Sequence, residues 1–317
     1  MRLLVTGATG FVGRELISLL SKQDFEINMT TRSPEKLAMG SNIHVFPGIN
    51  LSEQTDWQPA LTGCDIVVHL AARVHILNDS AANPLEEFRA VNTAGTINLA
   101  KQAAAAGVKR FIFVSSAHVL GNQSTNKLLD ESAPYAPHTD YAISKMEAEL
   151  ELKALAAKTN MKLVIIRPPL VYGSEVAGNL QRLMWLLTTG IPLPFANAVN
   201  KRSMIASANL VDFISVCITH PNAANETFVV TDNQDISTAQ LIRLLAKGMG
   251  IKPRLFAFPI FLLRTSCKLL KCKMLFNQLY GSLQLDATKS RELLQWQPPV
   301  EVERALFLTG QGYIKSR

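Results

Sequence analysis

Cysteine is scarce in this chain: Cys64, Cys217, Cys267 and Cys272 are the four among 317 residues, with no C-x-x-C pair and no evenly spaced framework. That excludes a disulfide scaffold and a thiolate metal site, and it reads as reduced thiols of a cytoplasmic protein with no metal. Aromatic residues are also few, at 7%, and they do not interleave with the scattered Lys and Arg residues. The net charge of +7 therefore offers no stacking platform for nucleic acid, and anionic small molecules account for it equally well. The densest basic-apolar stretch, Arg254 to Lys273, is broken by Pro259, Arg264, Lys268 and Lys271 and is too charged to span a bilayer. It reads as a core helix of the C-terminal region, with a basic amphipathic surface helix as the alternative, and stable membrane insertion is not expected. The N-terminus starts directly on strand residues, so no secretory signal is expected.

What is present is a large apolar fraction, 48%, arranged as alternating strands and helices, the pattern of a parallel sheet covered on both faces. Strands are predicted at 2–6, 26–30, 43–46, 65–70, 110–115 and 163–166. One long helix is predicted from Glu86 to Ala106, ended by Gly107, and another after Asp140 as its N-cap. Beyond about residue 170 the pattern loosens into prolines and isolated helices, although 227–231 still reads as a buried strand returning to the sheet.

Two segments carry chemistry. Arg2-Leu3-Leu4-Val5-Thr6 runs straight into Gly7-Ala8-Thr9-Gly10-Phe11-Val12-Gly13 and then a helix. In that context Gly7 serves a tight turn, Gly10 a close backbone approach to a pyrophosphate and Gly13 helix-sheet packing, with the helix N-terminus facing the phosphates. The spacing is G-x-x-G-x-x-G instead of the commoner G-x-G-x-x-G. Farther on, Tyr141 and Lys145 stand four residues apart on one helix face, a pair able to act as a proton-transfer unit.

These segments, taken in order with His69-Leu70-Ala71-Ala72, Asn92-Thr93-Ala94-Gly95-Thr96, Ser115-Ser116-Ala117-His118-Val119-Leu120-Gly121 and Arg167-Pro168-Pro169-Leu170-Val171-Tyr172-Gly173, resemble an extended short-chain dehydrogenase/reductase of the nucleotide-sugar epimerase/dehydratase family. The similarity covers nearly the whole chain. It implies an α/β fold, a Rossmann-type doubly wound parallel sheet with a smaller, mostly helical C-terminal substrate domain. Residues 1–170 form the NAD(P)-binding part, with a returning segment at about 203–232, and 171–317 the nucleotide-sugar part.

The resemblance also implies roles. Ser116, Tyr141 and Lys145 are the catalytic set, Ser116 lying five residues before Gly121, with Leu120 where relatives carry Tyr. Lys145 is expected to lower the pKa of Tyr141 and Ser116 to orient the substrate oxygen. Cofactor contacts fall to Gly7, Thr9, Gly10, Phe11, Val12, Gly13, Arg32, Asn50, Leu51, Leu70, Ala71, Ala72, Tyr141, Lys145 and Pro168. Thr30-Thr31-Arg32-Ser33 has no acid for a ribose diol, which favours NADP over NAD. Substrate contacts fall to Arg73, Ser116, Ala117, His118, Asn179, Phe195 and Arg202, the last as a diphosphate-binding fork. The family's usual Asp near 209 is replaced by Ala208-Asn209.

Ala117-His118 stands where dehydratases carry Asp-Glu, which removes elimination and leaves hydride transfer at C4 of a UDP-hexose or UDP-N-acetylhexosamine. A 4-epimerase and an NADPH-dependent 4-keto-sugar reductase both remain open, as does association into a homodimer through two long helices. A non-catalytic dinucleotide-binding regulator would show a broken Ser/Tyr/Lys set, and here the set is complete.

Overall fold

The computed structural model describes residues 1–31, 40–74, 83–124, 127–269 and 273–316. Seven strands, β1 (Arg2–Thr6), β2 (Glu26–Thr31), β3 (Ile43–Pro47), β4 (Ile66–His69), β5 (Arg110–Val114), β6 (Lys162–Arg167) and β9 (Thr227–Val229), form one sheet in the order β3-β2-β1-β4-β5-β6-β9. Every pairing in it is parallel. A separate parallel pair is made by β7 (Leu170–Tyr172) and β8 (Met204–Ala206). The helices are α1 (Phe11–Leu20), α2 (Gln58–Leu61), α3 (Pro84–Phe88), α4 (Thr96–Ala105), α5 (Asp140–Ala156), α6 (Asn179–Thr188), α7 (Ser207–Thr219), α8 (Thr238–Gly248), α9 (Ile260–Leu269), α10 (Lys273–Tyr280), α11 (Thr288–Leu294) and α12 (Val302–Lys315). No helix among the described residues is long and apolar enough to cross a membrane.

The strands are apolar on both sides because both faces are covered. Alternate residues of β1 point opposite ways: Leu3 and Val5 join Leu16 and Leu20 of α1 and Phe213 and Ile214 of α7, whereas Leu4 joins Leu99 of α4 and Leu152 of α5. A further core unites Leu180 and Met184 of α6 with Ile242 and Leu245 of α8 and Leu306 and Tyr313 of α12.

Three local expectations change. The single helix predicted from Glu86 to Ala106 is wound as α3, a π-helical segment Arg89–Gly95 and α4, with Pro84 in the first turn and Gly107 at φ +80° beyond the Ala106 cap. The N-cap of α5 is Thr139, whose hydroxyl accepts from Ala142 N; Asp140 is the first helical residue, its charge at the positive end. The Arg254–Lys273 stretch is not a core helix: Phe256, Phe261 and Leu262 are exposed.

Helix α5 is clamped to the sheet by a buried ion pair. Arg167, the last residue of β6, donates Nη2 to Glu149 Oε2 at 2.6 Å and Nε to both carboxylate oxygens at 3.1 and 3.2 Å. Tyr135 Oη donates to the same carboxylate at 2.8 Å, and Arg167 Nη1 donates to Glu131 O at 3.1 Å. Two charges out of water are tolerated only when each is satisfied this fully. Arg167→Met alone should therefore cost about 3–5 kcal/mol in urea unfolding, because Glu149 is left charged and buried. Pairing it with Glu149→Leu should return most of that loss; a double variant no more stable than the single one contradicts the account.

Candidate active site

The strand order reverses between β1 and β4, and in such sheets ligands lie beyond the C-terminal ends of the strands on either side of that point. Gly7, Leu70 and Pro168 all lie within one residue of such ends, and Ser116 within two.

Gly7 turns the chain at φ +71°, and a Cβ there would sit 2.7 Å from Ala71 N, so the first turn and the end of β4 touch backbone to backbone. Gly13 is under the same constraint, its added Cβ lying 2.1 Å from Gly7 O. Gly10 differs: it is the exposed N-cap of α1, and a Cβ on it would meet only Gly7 O, at 3.1 Å. The outer face of the turn is thus open at a helix N-terminus, which fits a diphosphate held by backbone amides. Phe11 packs over Gly173, Val12 lies partly buried beside it in α1, and Thr9 O accepts from Arg14 Nη1 at 3.3 Å. Arg14 also pairs with Glu175.

Below the turn, His69 bridges Thr6 Oγ1 (2.7 Å from Nδ1) and Thr96 Oγ1 (2.8 Å from Nε2), tying β1 and β4 to α4. Burial, and then the charge of Lys145, holds its pKa well below the usual value, so the ring is a neutral strut. The loop after β4 is fixed by Asn92: its Oδ1 accepts from Arg73 N at 2.7 Å, and its Nδ2 donates to Arg73 O and Ser144 Oγ, both at 3.0 Å. Thr93 Oγ1 donates to Ser144 O at 3.0 Å. The π winding places these two side chains together on the α5 side, and Leu51 presses against Gly95 from the other. Asn50 O accepts from Thr55 Oγ1 at 2.6 Å. Leu70, Ala71, Ala72 and Arg73 are partly buried along this crevice, with the Arg73 guanidinium 5.5 Å from the Phe88 ring. Arg32 lies outside the described residues.

Ser116 is buried, and its Oγ accepts from His118 N at 3.2 Å, capping a 3-10 turn, Ala117–Leu120, that packs on α5. The hydroxyl proton stays available to a substrate oxygen. Ala117 is buried and its N–H is held by Pro168 O at 2.9 Å; His118 is exposed. Lys145 is fully buried, donating Nζ to Val114 O at 2.9 Å and lying 4.4 Å from the Phe113 ring centre. Burial brings it down to about 7 against the opposing pull of Glu149. Burial pushes the Tyr141 phenol up to about 12, with Phe88 edge-on at 6.3 Å. The expectation that Lys145 lowers the Tyr141 pKa is not met in this geometry, because the ammonium is engaged by the carbonyl at the end of β5.

The remaining residues lie apart from this crevice. Arg202 is largely buried, donates Nη1 to Gly281 O at 3.2 Å and is lowered by burial; no carboxylate among the described residues forms a salt bridge with it. Phe195 is buried and tilted against Tyr280 at 5.3 Å, inside the α6/α8/α12 core, and Asn179 is exposed at the start of α6. The carboxylate absent at 208–209 is supplied elsewhere: Asp232 accepts from Tyr172 Oη (2.7 Å), Ala206 N (3.0 Å) and Asn209 Nδ2 (2.7 Å). Sequence reasoning did not single out Asp232, Glu149 or Ser144. Asn92 and Arg167 lay in quoted motifs, and polar residues amid apolar runs were the available signal.

The sequence model described as the NAD dependent epimerase/dehydratase family matches residues 3–231. The chain is 41% identical over 317 residues to a UDP-glucose 4-epimerase of Vibrio cholerae, covering 99% of this chain and 96% of that one. It is 30% identical over 255 residues to an N-acetyl-alpha-D-glucosaminyl-diphospho-ditrans,octacis-undecaprenol 4-epimerase of Escherichia coli O157:H7, covering 78% and 72%. The crystal structure of UDP-glucuronic acid 4-epimerase from Bacillus cereus superposes with a TM-score of 0.80 at 21% identity, covering 100% of this chain and 97% of the other, a likeness of fold.

The Lys145 shift has a thermodynamic consequence. Between about pH 7 and the ordinary lysine value of 10.5 the unfolded chain holds a proton that the folded one sheds, so this group makes stability rise with pH across that window. Lys145→Met should be more stable than the parent at pH 7, by about 1 kcal/mol or more, and its advantage should shrink toward pH 10. Thermal unfolding at the two pH values checks this; an advantage that grows with pH refutes it.

Proposed function

The chain belongs to the NAD dependent epimerase/dehydratase family, and from that membership we propose that it is an NAD(P)-dependent nucleotide-sugar 4-epimerase acting on a UDP-hexose or UDP-N-acetylhexosamine. The observation that carries this reading is the placement of Ser116, Tyr141 and Lys145 about the C-terminal end of β5, with Ala117-His118 and no acidic pair following Ser116. Similarity over nearly its full length to the Vibrio cholerae epimerase favours reversible inversion over one-way reduction.

The residues that would hold the dinucleotide are Gly7, Thr9, Gly10, Phe11, Val12 and Gly13 at the diphosphate, Asn50 and Leu51 toward the adenine, and Leu70, Ala71, Ala72 and Pro168 along the strand ends. When bound, its nicotinamide supplies a hydride acceptor and donor at C4. The protein's own part is proton and orientation chemistry. Ser116 Oγ donates to the sugar O4 and holds it toward Tyr141. Tyr141 Oη takes the 4-hydroxyl proton during oxidation and returns it on the way back. A phenol held near 12 is a weak base, so the step requires a positive charge close to it. Lys145 is the nearest cation in sequence on that face, and transfer of its ammonium from Val114 O toward the phenol would supply the charge.

Residues 1–170 with the returning 203–232 segment form the dinucleotide part, and 171–317 the sugar-nucleotide part. Arg202 is the diphosphate anchor of the second part, a buried fork suited to two phosphate oxygens. Asn179 and Phe195 flank the nucleotide, Arg73 and His118 the sugar. The protein acts in the cytoplasm as a homodimer joined through α4 and α5.

Incubation with UDP-glucose and catalytic NAD, followed by NMR, tests the reaction: UDP-galactose should accumulate to equilibrium with no net change in NADH. Stoichiometric consumption of reduced dinucleotide on a 4-keto sugar, without epimer formation, would make it a reductase. Tyr141→Phe should reduce turnover by about a hundredfold or more with dinucleotide affinity preserved. Arg202→Ala should weaken UDP binding by roughly tenfold to a hundredfold, seen by calorimetry; unchanged affinity removes Arg202 from the site.

A further inference from the structure

The chain's positive charge is not spread evenly. Between Ile236 and Leu285 there are eight Lys and Arg residues and no Asp or Glu. Of the chain's 32 basic and 25 acidic residues this leaves 24 and 25 elsewhere, so the net charge of +7 belongs to this one stretch. Arg243, Lys247, Lys252, Arg254 and Arg264 in it are all exposed.

The same stretch carries apolar side chains in water. Phe256 is 42% exposed, Phe261 68% and Leu262 43%, at the start of α9 and just before it. The loop beside them adds Ile191 at 54% and Val199 at 79%. The two segments form one surface: Leu193 N donates to Arg254 O, Phe256 N to Leu193 O, Ala196 N to Phe256 O and Asn197 Nδ2 to Phe258 O, all within 2.8–3.2 Å. Large apolar side chains left clustered on a surface and rimmed by one sign of charge mark a docking face.

We propose that this face seats the protein on an anionic lipid bilayer, with Phe256, Phe261 and Leu262 entering the headgroup boundary and the surrounding cations meeting acidic headgroups. A helix of this length cannot span a bilayer, but a basic apolar face can lie in its interface. The charge selects the occupant. A second copy of the chain would bring two acid-free cationic faces together, and a nucleic acid would leave Leu262, Ile191 and Val199 without a partner, since aliphatic side chains do not stack on bases. An anionic bilayer answers both the charge and the apolar side chains. This inference stands independently of the reaction proposed above.

The full chain should co-sediment with vesicles of phosphatidylglycerol and phosphatidylethanolamine and not with phosphatidylcholine vesicles, and binding should weaken roughly tenfold between about 0.05 and 0.5 M salt. Phe261→Glu/Leu262→Glu should lose at least about tenfold in vesicle binding while its elution volume and its turnover of UDP-sugar in vesicle-free buffer are unchanged. Equal binding to both vesicle types, no binding to either, or full binding by the variant overturns the proposal. So does a variant that dissociates an oligomer, which gives the face to a second copy, or retention on DNA without vesicle binding.

Discussion

The site depends on one buried contact, the pair of Arg167 and Glu149. Arg167 ends the strand after which Pro168 O fixes Ala117 N, and so sets the turn capped by Ser116. Glu149 lies one turn beyond Lys145 on α5, so the same contact sets the height of that helix over the sheet and the reach of Lys145 to Val114 O. The carboxylate also gives the buried ammonium its opposing charge. An apolar pair could fill the same space; what it could not do is select a single register of helix on strand, since oil-like contacts tolerate sliding where a three-bond fork does not.

Much of the sheet was legible because strands covered on both faces are written as unbroken apolar runs, and a glycine turn at a strand end has few alternatives. The predicted strands at 26–30 and 110–115 fall within a residue of β2 and β5. What was illegible depends on partners distant in sequence. Nothing local to Glu149 distinguishes it from the exposed Glu151 two residues on; only Arg167 does. The π segment is invisible to a period count, because its cause is a set of hydrogen bonds from Asn92 and Thr93 to Arg73 and Ser144. The exposure of α9 escaped notice for a related reason: its composition suits a core, and only its place at the margin of the fold decides otherwise. The evenness attributed to the positive charge was a miscount of distribution, visible in the sequence once acids as well as bases are located.

The α6/α8/α12 core is joined to the sheet differently. Asp232, just past β9, gathers Tyr172 from β7, Ala206 from β8 and Asn209 from α7 onto one carboxylate. Asn209 extends the junction by exchanging two hydrogen bonds with the backbone of Val300, at 2.8 and 2.9 Å. Burial raises the Asp232 pKa, and the three donors oppose that rise. The family's missing acid is thus relocated from a helix start to a strand end, with an amide at 209 as its complement.

The π-helical stretch between Arg89 and Gly95 sets the phase of everything after it. An ordinary α-helix advances about 100° per residue, so each added or removed residue turns the following side chains by that amount. The wider winding absorbs that turn, letting Asn92 face α5 while Leu99 and Ala103 still face the sheet. A chain one residue shorter in that stretch would revert to plain helix with its apolar stripe rotated toward solvent. The surplus residue is therefore under the same selection as a reading frame: tolerated only in step with what lies downstream.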